Sequence, residues 1–190
     1  RSFTTPGNPS AAPVLLLPAA NALSTSYTPT FTWKEVVPPA GTSITQYLIE
    51  IDEEPAFGSP VSGTSVTTSF IPGTALTSNL KYYWRVRAEN NLGELSNWSA
   101  LRYFSTAILP PTLLAPLDGA SGVALMPLLD WENVDQNTGY VLQIWKAGPT
   151  PVLVKSVTLT ANTSQYQFVT NLLPGTAYYW KVQTKGLKGP

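Results

Sequence analysis

Leu172-Leu173-Pro174-Gly175-Thr176-Ala177-Tyr178-Tyr179-Trp180-Lys181-Val182 is a proline–glycine turn running into an aromatic stretch. The turn residues break the chain, and the aromatic and β-branched residues behind them suit a pleated, half-buried strand. The strand half occurs twice: Tyr82-Tyr83-Trp84-Arg85-Val86 stands 178 − 82 = 96 positions earlier. Outward from it, Tyr140-Val141-Leu142-Gln143-Ile144 repeats Tyr47-Leu48-Ile49-Glu50-Ile51 at 140 − 47 = 93, while Trp131 repeats Trp33 and Pro116 repeats Pro18, each at 98. Four landmarks in one order at nearly one offset mean a duplicated domain.

Between the landmarks lie short stretches rich in Val, Ile, Thr, Tyr and Trp, cut by 18 Pro and 13 Gly, which leave no room for a helix of ordinary length. Strands are expected in the first copy near residues 14–17, 30–33, 46–51, 61–66, 69–71, 81–89 and 100–106. In the second they are expected near 113–114, 128–131, 140–145, 152–159, 165–168 and 178–184. This many turn-linked strands per copy predicts an all-β antiparallel sandwich. Alternation then assigns the faces. Phe31, Trp33, Tyr47, Ile49, Ile51, Tyr82, Trp84, Val86 and Ala88 point inward, which leaves Tyr83, Arg85 and Arg87 outside. In the second copy Trp131, Tyr140, Leu142, Ile144, Tyr178 and Trp180 form the core set, leaving Trp145 and Tyr179 on the outer face.

Composition narrows the function classes. Eleven Lys plus Arg balance eleven Asp plus Glu in 190 residues, so the net charge is zero and nothing draws the chain to nucleic acid or an anionic membrane. Charged residues are only 12% of the chain, which removes the self-repulsion that keeps molecules apart and favours association. There is no Cys and no His, hence no thiol nucleophile, no imidazole base and none of the usual zinc ligands. No run of 18 apolar residues would span a membrane, and Arg1-Ser2-Phe3-Thr4-Thr5-Pro6 lacks the pattern of a secretion leader. A soluble, already trimmed chain without enzyme activity, cofactor or metal is the expectation.

The Leu172-x-Pro174-Gly175-Thr176-x-Tyr178 turn resembles the tyrosine corner of the fibronectin type III family, and Leu76 and Tyr82 keep its spacing with a looser Thr77-Ser78-Asn79-Leu80-Lys81 between them. Trp33 and Trp131, Tyr47 and Tyr140, the Asn91-x-Gly93 turn and Trp98-Ser99 also fit that family. The Pro-x-Leu-Leu-x-Pro openings at 13–18 and 111–116 look like repeats of large bacterial surface and secreted proteins. The resemblance implies two tandem immunoglobulin-like sandwiches at residues 12–107 and 108–190, at the cell surface, doing structural or adhesive work.

The ends carry an anomaly. Arg1-Ser2-Phe3-Thr4-Thr5 precedes a Pro-rich linker as Arg102-Tyr103-Phe104-Ser105-Thr106 does, so residues 1–11 read as the last strand and linker of a preceding domain. The second sandwich stops at Gly186-Leu187-Lys188-Gly189-Pro190, inside what should be its final turn, and lacks a last strand of its own. Two readings stay open: a window cut from a longer array, or a fibre-forming subunit whose N-terminal strand completes the second sandwich of a neighbour. Deleting residues 1–10 without changing the assembly state would exclude the latter.

Several surface groups are candidates. Arg85 and Arg87 beside Trp98 resemble half of the Trp-Ser-x-Trp-Ser ladder of cytokine-receptor domains, a cation–π staple or else a partner contact. Trp145 and Tyr179, adjacent on one face, suggest an interface with a neighbouring domain or copy, or a stacking platform for a glycan. Glu50, Asp52, Glu53 and Glu54, and Asp130, Glu132 and Asp135, could approach calcium but read better as solvated edges. Asn97-Trp98-Ser99 and Asn162-Thr163-Ser164 fit the glycosylation triplet. Residues 107–111, with paired prolines, should form a stiff linker.

Overall fold

The computed structural model describes Arg1 and residues 10–188, and among these there are strands but no helix. The chain divides into two compact units, Arg1–Thr106 and Ala107–Pro190. The expected N-terminal strand falls, Arg1 excepted, outside the described residues.

The first unit holds β1 (Leu15–Leu17), β2 (Leu23–Ser24), β3 (Phe31–Trp33), β4 (Ile44–Asp52), β5 (Val61–Ser65), β6 (Ser69–Phe70), β7 (Lys81–Asn90) and β8 (Arg102–Thr106). One sheet runs β1-β3-β6 and the other β2-β8-β7-β4-β5. Alternation does what period-two sequence dictates: Tyr47, Ile49 and Ile51 from β4 and Tyr82, Trp84, Val86 and Ala88 from β7 are buried against Phe31 and Trp33 of the facing sheet. The aromatic core is edge-packed, with the Phe31 and Trp84 centroids 5.0 Å apart at 70°.

The second unit holds β9 (Leu113–Ala115), β10 (Leu128–Trp131), β11 (Gly139–Lys146), β12 (Val152–Leu159), β13 (Gln165–Gln167) and β14 (Tyr178–Lys185), in sheets β13-β10-β9 and β12-β11-β14. Leu129, Trp131, Tyr140, Leu142, Ile144, Phe168 and Val182 form its core.

Both units share their internal pins. The Tyr82 hydroxyl accepts from Thr77 N at 3.0 Å, and the Tyr178 hydroxyl from Leu173 N at 3.1 Å, so each has a tyrosine corner. The turn of the first unit is not looser, as its sequence suggests. Asn79 takes the left-handed conformation (φ 58°) that Gly175 takes in the second (φ 61°), and Asn is among the few residues that tolerate it. The tyrosines of β4 and β11 match too, Tyr47 accepting from Val36 N at 3.2 Å and Tyr140 from Val134 N at 2.7 Å.

The units differ where a last strand belongs. In the first, β8 pairs antiparallel with β7 through Lys81↔Ser105, Tyr82↔Phe104, Tyr83↔Tyr103 and Trp84↔Arg102, and parallel with β2 through Leu23↔Ser105. In the second, β14 pairs with β11 on one side only among the described residues. Tyr178 and Trp180, expected as sealed core, pack on it while remaining half-exposed, because no described strand covers them.

Candidate functional site

An open groove of about 960 Å³ lies in the second unit where β8 lies in the first. The gapless alignment of residues 18–33 with 116–131 identifies its walls. Leu129 (aligned with Phe31), Ile144 (with Ile51) and Trp180 (with Trp84) line its floor, and Leu172, Tyr178 and residues 116–125 line its sides. Residues 121–122 align with β2 yet form no strand. A two-residue strand has almost no stability of its own, so β2 exists because β8 is there to pair with it.

The first unit shows what such a space holds. Phe104 is fully buried, its ring 5.6 Å from Phe31 edge-on and 6.0 Å from Tyr82 nearly parallel. Arg102 donates from Nη1 to Leu16 O at 2.7 Å and sits 6.0 Å from the Trp84 ring. Thr106 donates from Oγ1 to Thr77 O at 2.7 Å and accepts there from Leu80 N at 3.1 Å. Arg, Phe and Thr are the residues that the N-terminal segment shares with β8.

The outer face of the first unit is a closed ladder. The Arg85 guanidinium lies 4.1 Å from the Phe57 ring and 4.4 Å from Trp98, and Arg87 lies 4.4 Å from Trp98. Glu50 pins Arg85, with Oε2 2.6 Å from Nη2 and accepting from Nε at 2.8 Å. Phe57 comes from a loop and carries no periodic signal in the sequence. Ser96 is another element that the sequence reading passed over. Its hydroxyl accepts from Ala88 N at 2.9 Å as the Ser99 hydroxyl accepts from Val86 N at 3.1 Å, so a Leu95-Ser96-x-Trp98-Ser99 run supplies β7 with side-chain partners where β8 has not yet begun. Its legible signal was the pair of serines, Ser96 and Ser99, on either side of Trp98 just ahead of β8. Tyr83 pairs with Tyr103 at 5.9 Å, with Lys81 over the Tyr103 ring at 5.2 Å.

In the second unit Trp145 and Tyr179 are brought together, their rings parallel within 1° and 6.2 Å apart, with Lys181 5.6 Å from the Trp145 centroid. Tyr179 is exposed and Trp145 half-buried.

The carboxylates do other work. Asp52 accepts from Glu54 N and Ser59 N, both at 3.1 Å, and Glu53 accepts from the Tyr82 hydroxyl at 3.2 Å. Among the described residues no three acidic side chains gather as a metal site would need. Burial pushes the Tyr82 phenol above its ordinary value, and the nearby Glu53 carboxylate adds to this against the opposing Thr77 hydrogen bonds.

Two sandwiches with a tyrosine corner apiece and a shared strand order define a tandem of fibronectin type III-like domains. Residues 19–110 match the family model of the Rha78A-like, N-terminal immunoglobulin domain. No curated protein matches the chain. Among solved structures, the two-fibronectin-type-III segment of chicken tenascin is 17% identical with a TM-score of 0.51, over 93% of this chain and 91% of that one. The FN1–FN3 domains of chicken CNTN1 are 18% identical (TM-score 0.41), over 96% of this chain, which spans 63% of that one. The Streptomyces avermitilis α-L-rhamnosidase complexed with L-rhamnose is 15% identical (TM-score 0.42), over 95% of this chain, which spans 24% of that one. At such identities the likeness to tenascin speaks for the fold.

Proposed function

We propose that this pair of sandwiches is a structural repeat module of a larger extracellular protein, a spacer or fibre-building unit whose copies join head to tail through an N-terminal strand. The observation that supports it is the edge of β14, beside which no described strand lies, with half-buried Tyr178 and Trp180 next to a groove. An unpaired edge over a hydrophobic core is a template for another strand. Donation from one end of a copy to the other end of the next is heterologous, and it propagates rather than closes. Val152, Leu153 and Val154 on exposed β12 add apolar surface, and zero net charge does not oppose lateral contact. Light scattering and electron microscopy of the purified chain across micromolar concentrations test this: concentration-dependent linear assemblies support it, and a monomer throughout contradicts it.

A second reading is an accessory, non-catalytic region of a secreted enzyme, favoured by the match of residues 19–110 to a domain described as N-terminal in Rha78A-like proteins. The parallel Trp145 and Tyr179 rings would then be a platform for a glycan, which stacks on aromatic faces. A glycan array probed with the chain and with Trp145→Ala separates this from assembly.

A further inference from the structure

We infer that the outer face of the first unit carries a binding site for a sugar acid, built from Arg87, Glu50, Ser62 and Thr64 around a cleft of about 350 Å³. This goes beyond the repeat-module reading and involves neither β14 nor Trp145.

Antiparallel pairing puts these groups side by side. Leu48 of β4 stands opposite Arg87 of β7 and Thr64 of β5, and Glu50 stands opposite Arg85 and Ser62. Two cross-strand rows, Thr64-Leu48-Arg87 and Ser62-Glu50-Arg85, therefore share the outward face. Gly63 keeps β5 seated, since a Cβ there would collide with the Phe70 ring on the inner side. Alternation then turns Ser62 and Thr64 outward, and both are exposed at the cleft.

Stacking on this face is complete, but hydrogen bonding is not. Both guanidiniums lie 4.4 Å from the Trp98 ring, and Glu50 also holds Arg85. Among the described residues Arg87 makes no ion pair, and its Nε, shut away from water, meets no acceptor. Glu89, the next outward residue on β7, is already taken by Gln46 at 2.7 Å. A cation–π contact uses the face of a guanidinium and leaves its in-plane Nη donors for a planar two-oxygen acceptor, which is the geometry of a carboxylate. Arg85 engages Glu50 through Oε2, so Oε1 keeps lone pairs for a hydroxyl donor. The Ser62 and Thr64 hydroxyls bond to no protein group among the described residues. The cleft thus offers an unpaired cation, a carboxylate oxygen and two hydroxyls around the apolar Leu48 side chain. A sugar acid matches all of them: its carboxylate meets Arg87, its hydroxyls meet Glu50, Ser62 and Thr64, and a C–H face of its ring covers Leu48. A bare anion has nothing to give Glu50 and is repelled by it. The second unit has Lys181 and Gln183 where the first has Arg85 and Arg87, so it lacks the fork and serves as an internal control.

NMR titration of the isotope-labelled chain with D-glucuronate tests the site. The Arg87 Nε–H resonance and the amides of residues 62–64 should shift saturably while those of 181–183 stay still, and glucose and acetate should each produce no saturable shift. Arg87→Gln should weaken binding roughly tenfold to a hundredfold, the scale of hydrogen bonds to a charged group. Ser62→Ala and Thr64→Val, exposed changes that leave the fold alone, should each weaken it about two- to tenfold. They keep the test decisive if Arg87→Gln fails to fold. No saturable shift with glucuronate, equal shifts with acetate, or binding indifferent to Arg87, Ser62 and Thr64 would overturn the proposal and leave Arg87 a structural rung. Tighter binding of a triglutamate peptide than of glucuronate would assign the arginine to an acidic protein partner and overturn it as well.

Discussion

Replacing Phe104 with Ala should give the first unit the groove that the second unit has. Phe104 is fully buried and flanked by two rings, Phe31 edge-on at 5.6 Å and Tyr82 at 6.0 Å. A buried phenylalanine covers roughly 150–250 Å², and each aromatic pair adds ~0.5–1.5 kcal/mol beyond area. With a cavity left between two sheets that β8 can no longer clamp, the loss belongs at the upper end of the ~3–5 kcal/mol found for Phe→Ala in cores. Against a stability of ~5–15 kcal/mol that leaves the unit marginal. Hydrogen exchange resolves the two units in one chain: β7 amides should lose protection by the full amount while β11 amides hold. Residues 22–24 should lose theirs first, since β2 leans on β8 alone. Phe104→Leu, which keeps most of the volume but neither ring pair, should cost less than Phe104→Ala. A loss under ~1 kcal/mol for Phe104→Ala would show that β8 does not seal the core by its aromatic side chain, and the comparison with the second unit would collapse.

Trp98→Ala removes the ring shared by Arg85 and Arg87 and should lower the stability of the first unit by about 1–3 kcal/mol, read in urea unfolding, whereas a pure ligand residue would leave it unchanged. Tyr82 predicts an alkaline sensitivity. Its phenol is raised in the fold, so above pH ~10 the unfolded chain releases a proton that the folded one keeps. The stability it supports is complete below that pH and drains as pH rises through the folded value. Tyr82→Phe should therefore flatten the decline of the first unit's stability above pH ~10; an unchanged slope would contradict the assignment.

What could be read beforehand follows from which forces are local. The inward set on β4, β7 and β11 was legible because period-two alternation of Tyr, Trp, Ile and Val is written in each strand. Strand β2 was not, since Leu23-Ser24 has no signal of its own and pairs only because β8 lies beside it. The half-exposure of Tyr178 and Trp180 was likewise invisible in their own strand, whose sequence nearly copies Tyr82 and Trp84; it depends on a neighbour across the edge. Asn79 hid a left-handed turn behind a sequence without glycine, and Phe57 reached the arginine ladder from a loop. The surface candidates were placed by alternation, but whether Trp98 ends up sandwiched or free is a matter of side-chain packing that periodicity does not encode.

Disulfide trapping tests the head-to-tail proposal most directly, because the chain has no cysteine to interfere. If the β7–β8 register carried over to β14, Ser2 of a second copy would stand opposite Tyr179, and cross-strand partners sit ~4.5–5.5 Å apart at Cα, within disulfide range. Mixing a Ser2→Cys chain with a Tyr179→Cys chain under mild oxidation should give one crosslinked heterodimer, and Lys181→Cys, two positions out of register, should give little. Equal crosslinking to positions 179 and 181, or none to either, would contradict the proposal that copies join head to tail through an N-terminal strand.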